Sequence, residues 1–277
     1  MGLRIATNTQ ALSAQRYLSN NYQAQNNSLE RLASGSRINR AGDDAAGLAI
    51  SEKLKANIRS MKQASRNAND GISLIQTAEG AMNEISNILV RMRELSIQAS
   101  SDTISDIERG FTNKEVQALK LEVDRISNST EFNSMKLLNG DAGSLEIQIG
   151  INNRPDQDRF TFDTKASRTN MDALGIMEVS TGTKLEAQAN MSSLDGAILK
   201  LNENRAGLGA LQNRIFSTIN NLNIYRENLE QANSRIRDTD MATETSELVK
   251  QNILTQANIS VLSQANNNPQ SALKLLG

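Results

Sequence analysis

Apolar positions along this chain recur mostly at alternating steps of three and four, and the longest such ladder runs from Met191 to Ile236. Met191, Leu194, Ile198, Leu201, Arg205, Leu208, Gln212, Ile215, Ile219, Leu222, Arg226, Leu229, Asn233 and Ile236 fall on it. The spacing never slips, which predicts one long helix carrying a coiled-coil seam. At about 1.5 Å per residue it would extend roughly 70 Å, so a rod is expected. Each exposed Leu or Ile on such a seam forgoes about 1.5–3 kcal/mol of burial, so a partner is required. The same chain offers one at Ile58, Met61, Ser65, Ala68, Ile72, Ile75, Glu79, Met82, Ser86 and Leu89. Taken alone, both ladders read as the core of a helical bundle.

The ends of the chain are patterned differently. From about Asn8 to Ala33, Leu18, Tyr22, Gln25, Leu29 and Leu32 give a thin helical stripe, closed by a turn at Ser34-Gly35-Ser36. A helix with so little apolar face is marginal by itself, because packing supplies most helix stability. An extended spoke is expected at Ile38 to Gly42. Asp43-Asp44 should then cap a helix running from about Ala45 to Ala99, which contains Gly71 and Gly80. Close approach by a neighbour would explain either glycine; so would plain local weakness. A further helix carries Val116, Leu119, Val123 and Ile126. The final segment, about Met241 to Leu276, is helical and apolar on more than one face, with Leu248, Val249, Ile253, Leu254, Ala257, Val261, Leu262, Ala265, Leu273, Leu275 and Leu276.

Only mid-chain does the period fall to two. Leu145, Ile147, Ile149 and Ile151 alternate with polar residues or glycine, as do Phe160 and Phe162. A small antiparallel sheet is expected over roughly 137–180, too small to be a domain.

Composition narrows the function. The 277 residues include no histidine and no cysteine, which removes imidazole and thiol chemistry, disulfides and most metal sites. No catalytic residue, cofactor or metal is expected. Asp43 and Asp44 are adjacent, and adjacent helical residues do not face one another, so they suit a cap better than a catalytic dyad. With a net charge of −1, nothing suggests nucleic acid or an anionic membrane as a partner. The first residues lack the apolar run of a secretory signal, and no stretch approaches the roughly 18 apolar residues of a membrane span. Aromatic residues make up 3% and the two prolines, Pro155 and Pro269, lie off the ladders, which favours long unbroken helices over a thick globular core.

The run Ser34-Gly35-Ser36-Arg37-Ile38-Asn39-Arg40-Ala41-Gly42-Asp43-Asp44-Ala45-Ala46-Gly47-Leu48-Ala49-Ile50 resembles the N-terminal signature of bacterial flagellins. Ala257 to Asn266, Pro269-Gln270 and Leu273 to Leu276 resemble the C-terminal one. Arg91 to Ala99, Thr130 to Asn133 and Leu208 to Arg214 look like family motifs in family order.

The resemblance implies a mainly α fold: long antiparallel helices form a coiled-coil rod, with a small β-hairpin region mid-chain. It implies an inner domain of residues 1–42 with 238–277, an outer helical domain of 43–237, and no separate variable outer domains. The function implied is that of a structural filament subunit, secreted through the flagellar type III apparatus. Filament-core packing is expected at Leu18, Tyr22, Leu29, Leu32, Leu254, Ala257, Val261, Leu262, Leu273 and Leu276. Terminal helices that cannot bury their seams alone should fold only when sister copies supply the missing surface. A heterologous contact of this kind does not close on itself and builds an open helical filament. By resemblance, further partners are an export chaperone at Met241 to Gly277, the filament cap, hook-junction proteins and toll-like receptor 5. The receptor or interprotomer surface would hold Arg91, Leu95 and Glu115. The alternatives are a hook-filament junction protein and a secreted coiled-coil translocator, the latter disfavoured by the lack of an apolar span.

Overall fold

The computed structural model describes residues 7–274, with side chains for residues 7–268. In chain order the elements are α1 (Thr9–Ser34), α2 (Ala45–Ala99), α3 (Asp106–Ser129), β1 (Glu131–Phe132), β2 (Met135–Lys136) and β3 (Ser144–Gln148). They continue with α4 (Pro155–Asp158), β4 (Arg159–Asp163), α5 (Met171–Leu174), α6 (Lys184–Arg237) and α7 (Met241–Lys274). The fold is mainly α, with its small β region mid-chain, as the periodicity predicts. Two compact units emerge: residues 59–226, and the described parts of 1–58 with 227–277.

In the unit of residues 59–226 both long ladders turn inward. Met61, Ala68, Ile72, Ile75, Met82 and Leu89 of α2 are buried, as are Leu194, Leu201, Leu208 and Ile215 of α6. Val116 and Val123 of α3 join all of these except Met61 in one contiguous apolar cluster. The helix α6 begins at Lys184 rather than Met191, and its extra turns bury Ala187 and Asn190 instead of large apolar groups.

Capping chemistry sets the turns between helices. Ser105 and Glu108 form a reciprocal capping box at the start of α3. The amide and hydroxyl of Ser105 hold the Glu108 carboxyl below its ordinary range. Arg109 is buried, and its guanidinium donates to Ala99 O and Ser101 O at 2.9 Å each, satisfying carbonyls left over where α2 ends.

The expected antiparallel sheet is the β3–β4 hairpin, and a second, separate hairpin, β1–β2, precedes it. The pair β1–β2 turns through Asn133 and Ser134, both at positive φ, as a two-residue hairpin loop requires. In β3–β4, Leu145 pairs with Phe162 and Ile147 with Phe160, so the four apolar side chains share one face. Beyond β3, the amides of Ile149 and Gly150 both donate to Asp158 O at 2.8 and 2.9 Å. A Cβ at Gly150 would sit 1.7 Å from Asp158 Oδ1, so only glycine fits. Gly71 is explained by the same region, since a Cβ there would meet Ile147 Cδ1 at 2.8 Å; around Gly80 there is open space. The close neighbour is thus a strand, and only one of the two glycines has one.

Residues 164–183, apart from α5, run as an irregular segment held by helix side chains. Lys120 Nζ donates to Met177 O at 2.6 Å and Val179 O at 3.1 Å, and Lys200 Nζ to Ala173 O at 2.7 Å. Burial pushes the Lys120 ammonium below its usual pKa.

Candidate functional site

The second unit is organised by α1 and α7, which pack antiparallel: Asn8 Nδ2 donates to Ala265 O at 2.8 Å and Gln25 Nε2 to Asn252 Oδ1 at 2.7 Å, while Arg31 lies 3.8 Å from Glu244. Gly35, in the left-handed conformation at φ 67°, ends α1 and frees its carbonyl to accept from the Thr239 amide at 3.0 Å. Arg37 donates its amide to Arg237 O and its guanidinium to Ile236 O, and Ser36 bridges Asp238. The polar joints on either side of the pair are therefore fastened to each other.

The expected capping by Asp43-Asp44 divides between the two residues. Asp44 Oδ1 accepts from the Gly47 amide at 2.8 Å and caps α2. Asp43 instead accepts from the amides of Asn39 and Arg40 at 3.0 and 2.9 Å, which fixes the spoke. Those two donors, Arg40 first, hold the Asp43 carboxyl below its ordinary range. Ile38 is 1% exposed and seats against Gly47, where a Cβ would meet its Cδ1 at 2.8 Å.

The seam between the paired helices is composed unlike the bundle core. On α1 the inward positions are Ala11, Ala14, Leu18, Asn21, Gln25, Ser28 and Leu32; on α7 they are Glu244, Leu248, Gln251, Thr255, Asn258, Leu262 and Ala265. Both sets step by three and four, and both are largely small or polar. The most buried side chains are Ala14, Ser28, Gln251, Thr255 and Ala265. Beside the seam an open groove of about 540 Å³ runs past Ala14, Tyr17, Asn258 and Val261.

The large apolar side chains lie elsewhere. Tyr17, Tyr22 and Leu29 of α1, and Val249, Ile253 and Val261 of α7, are between 46% and 61% exposed. Of the residues expected to pack in a filament core, Tyr22, Leu29, Leu254, Ala257 and Val261 face outward. Leu18, Leu32 and Leu262 are half-buried along the seam. Leu276 and the side chain of Leu273 lie outside the described residues. The α1 ladder read from sequence runs through 22 and 29, whereas the buried one runs through 21 and 28 with 18, 25 and 32 in common. Exposed apolar area on this scale marks an interaction surface. If fully covered, each large side chain would contribute about 1.5–3 kcal/mol.

In the other unit, Arg91 and Glu115 are half-exposed and paired, with Arg91 Nη2 2.9 Å from Glu115 Oε1. That contact, with a second from Glu94, raises the Arg91 pKa. Leu95, expected on the same surface, is 1% exposed and belongs to the apolar core beneath it. Among the described residues no helix is long and apolar enough to cross a membrane.

Residues 5–142 match the bacterial flagellin N-terminal helical region and residues 191–276 the bacterial flagellin C-terminal helical region. The chain is 45% identical to a flagellin of Halalkalibacterium halodurans over 271 residues, covering 97% of this chain and 98% of the relative. It is 44% identical to the flagellin of Bacillus subtilis over 305 residues, covering 99% and 100% of the two chains. Among solved structures, Bacillus cereus flagellin superposes with a TM-score of 0.50 at 31% identity, over 57% of this chain and 88% of that one.

Proposed function

This chain belongs to the bacterial flagellin family and is a structural subunit of the extracellular flagellar filament, not an enzyme, and from that premise we propose how it assembles. The outward apolar faces of α1 and α7 are the interprotomer surface. Tyr22, Leu29, Leu254, Ala257 and Val261 meet sister copies, while Leu18, Leu32 and Leu262 hold the pair itself together. The observation that carries this reading is the inversion of the terminal pair: polar and small groups lie inside, and large apolar groups face out.

A subunit built this way leaves its terminal helices open when free and folds them as neighbours arrive, which suits export through the type III apparatus as an unfolded chain. Residues 1–42 with 238–277 act as the filament-core portion and 43–237 as the outer portion. The export chaperone takes Met241 to Gly277 before assembly, and the cap and hook-junction proteins meet the same terminal surfaces. Toll-like receptor 5 reads the Arg91–Glu115 pair, with Leu95 supporting it from below.

Seeded polymerisation tests the assembly surface. Purified subunits added to filament seeds should give micrometre-long fibres under the electron microscope, and Ile253→Glu with Val261→Glu should give none while the 59–226 unit stays folded. Unimpaired growth of that variant would refute the assignment.

A further inference from the structure

The terminal pair hides the wrong side chains for a stable two-helix contact. Gln251 and Thr255 stand one helical turn apart on α7, 9% and 8% exposed, at the middle of the seam. Gln251 Nε2 donates to Glu247 Oε1 at 2.8 Å, but Gln251 Oε1 and Thr255 Oγ1 are buried with no hydrogen-bond partner among the described residues. Opposite them the inward positions of α1 at this level are Leu18, Asn21 and Gln25, so one apolar side chain faces the step, and Gln25 donates its amide to Asn252. A buried polar atom without a partner opposes folding, and a seam with two large apolar residues on each helix has little to set against it.

We infer that the Gln251–Thr255 step is a built-in brake: it keeps the α1–α7 pair from closing in the free subunit, so that closure waits for sister copies to cover the outward faces. The Gln25–Asn252 bond and the Arg31–Glu244 contact then set the register without making the pair stable by themselves. This rests on the assembly reading above and adds the residues responsible for the timing. A polar residue at a seam position that fixes register at a cost in stability is a known coiled-coil device.

The test is amide hydrogen exchange on the free full-length subunit, read over residues 9–34 and 241–268. In the parent these segments should exchange rapidly. Gln251→Leu with Thr255→Val should slow them ten-fold or more, equivalent to about 1.4 kcal/mol. Gln256→Leu with Ser260→Val adds similar apolar groups at exposed positions of α7 and should change nothing. If the parent is open and the seam variant is equally open, the brake is refuted while the assembly reading stands. If the parent is already protected, the fold-on-assembly reading fails and the brake with it. Equal slowing by the outward control would show that apolar content, not the seam, controls closure, and would overturn the inference.

Discussion

The bundle of residues 59–226 and the paired terminal helices follow the same alternation of three and four, yet they use it in opposite ways. In the bundle, Met82, Leu89, Leu201 and Ile215 occupy the inward positions and are fully buried. In the terminal pair, Gln25, Ser28, Gln251 and Thr255 occupy the equivalent inward positions, while Tyr22, Leu29, Ile253 and Val261 look out. The period says that a face will be buried. Which residues stand on it decides whether the chain can bury it alone.

The largest effect that separates the two units is cavity creation. Leu201→Ala should destabilise the free subunit by about 2–5 kcal/mol in urea unfolding, because its side chain is fully buried in the bundle. Ile253→Ala, at 61% exposure, should cost the free subunit no more than about 0.5 kcal/mol yet slow seeded fibre growth. A comparable loss from both truncations would erase the distinction. Next in size is Gly150→Ala, whose methyl would collide with the Asp158 carboxyl; a loss of about 1–3 kcal/mol, seen as a lowered midpoint, is expected.

Much of the bundle was legible beforehand. The α2 and α6 ladders read from spacing alone are the ones the structure buries, because large apolar residues mark both. The start of α6 was not legible, since Ala187 and Asn190, which face inward there, carry no apolar signal. The β1–β2 hairpin left no alternation to detect, with strands of two residues each; Asn133-Ser134 at its turn was the available clue. In the terminal pair the apolar stripe through Tyr22 and Leu29 is legible in the sequence, but the positions that α1 turns toward α7 include Asn21 and Ser28, which carry no apolar signal. A pattern of apolar residues shows what needs covering and does not show whether the cover comes from the same chain. Leu95 teaches the converse, for a motif can resemble a recognition surface while one member packs underneath it.

A smaller effect distinguishes the two glycines of α2. Gly80→Ala should raise the stability of the bundle by up to about 1 kcal/mol, since helix propensity improves and nothing lies within 4 Å. Gly71→Ala should forfeit that gain because Ile147 must move aside. Thermal unfolding of the two variants side by side reads the difference.

The smallest effect is electrostatic and falls on the spoke. The Asp43 carboxyl is held down in pKa by the Arg40 and Asn39 amides, so its contribution is present above the unfolded value near 3.9 and is lost as pH falls through the lower folded value. Exchange protection of residues 37–42 in assembled fibres should therefore decline in acid. Asp43→Asn should remove that pH dependence.

One measurement addresses the central claim most directly: hydrogen exchange of the same protein, free and in fibres, with the 59–226 bundle as an internal reference. The account predicts a bundle whose core is protected in both states, and residues 9–34 and 241–268 that exchange rapidly when free and become protected on assembly. Equal protection of those segments in the free subunit and in the fibre would contradict it.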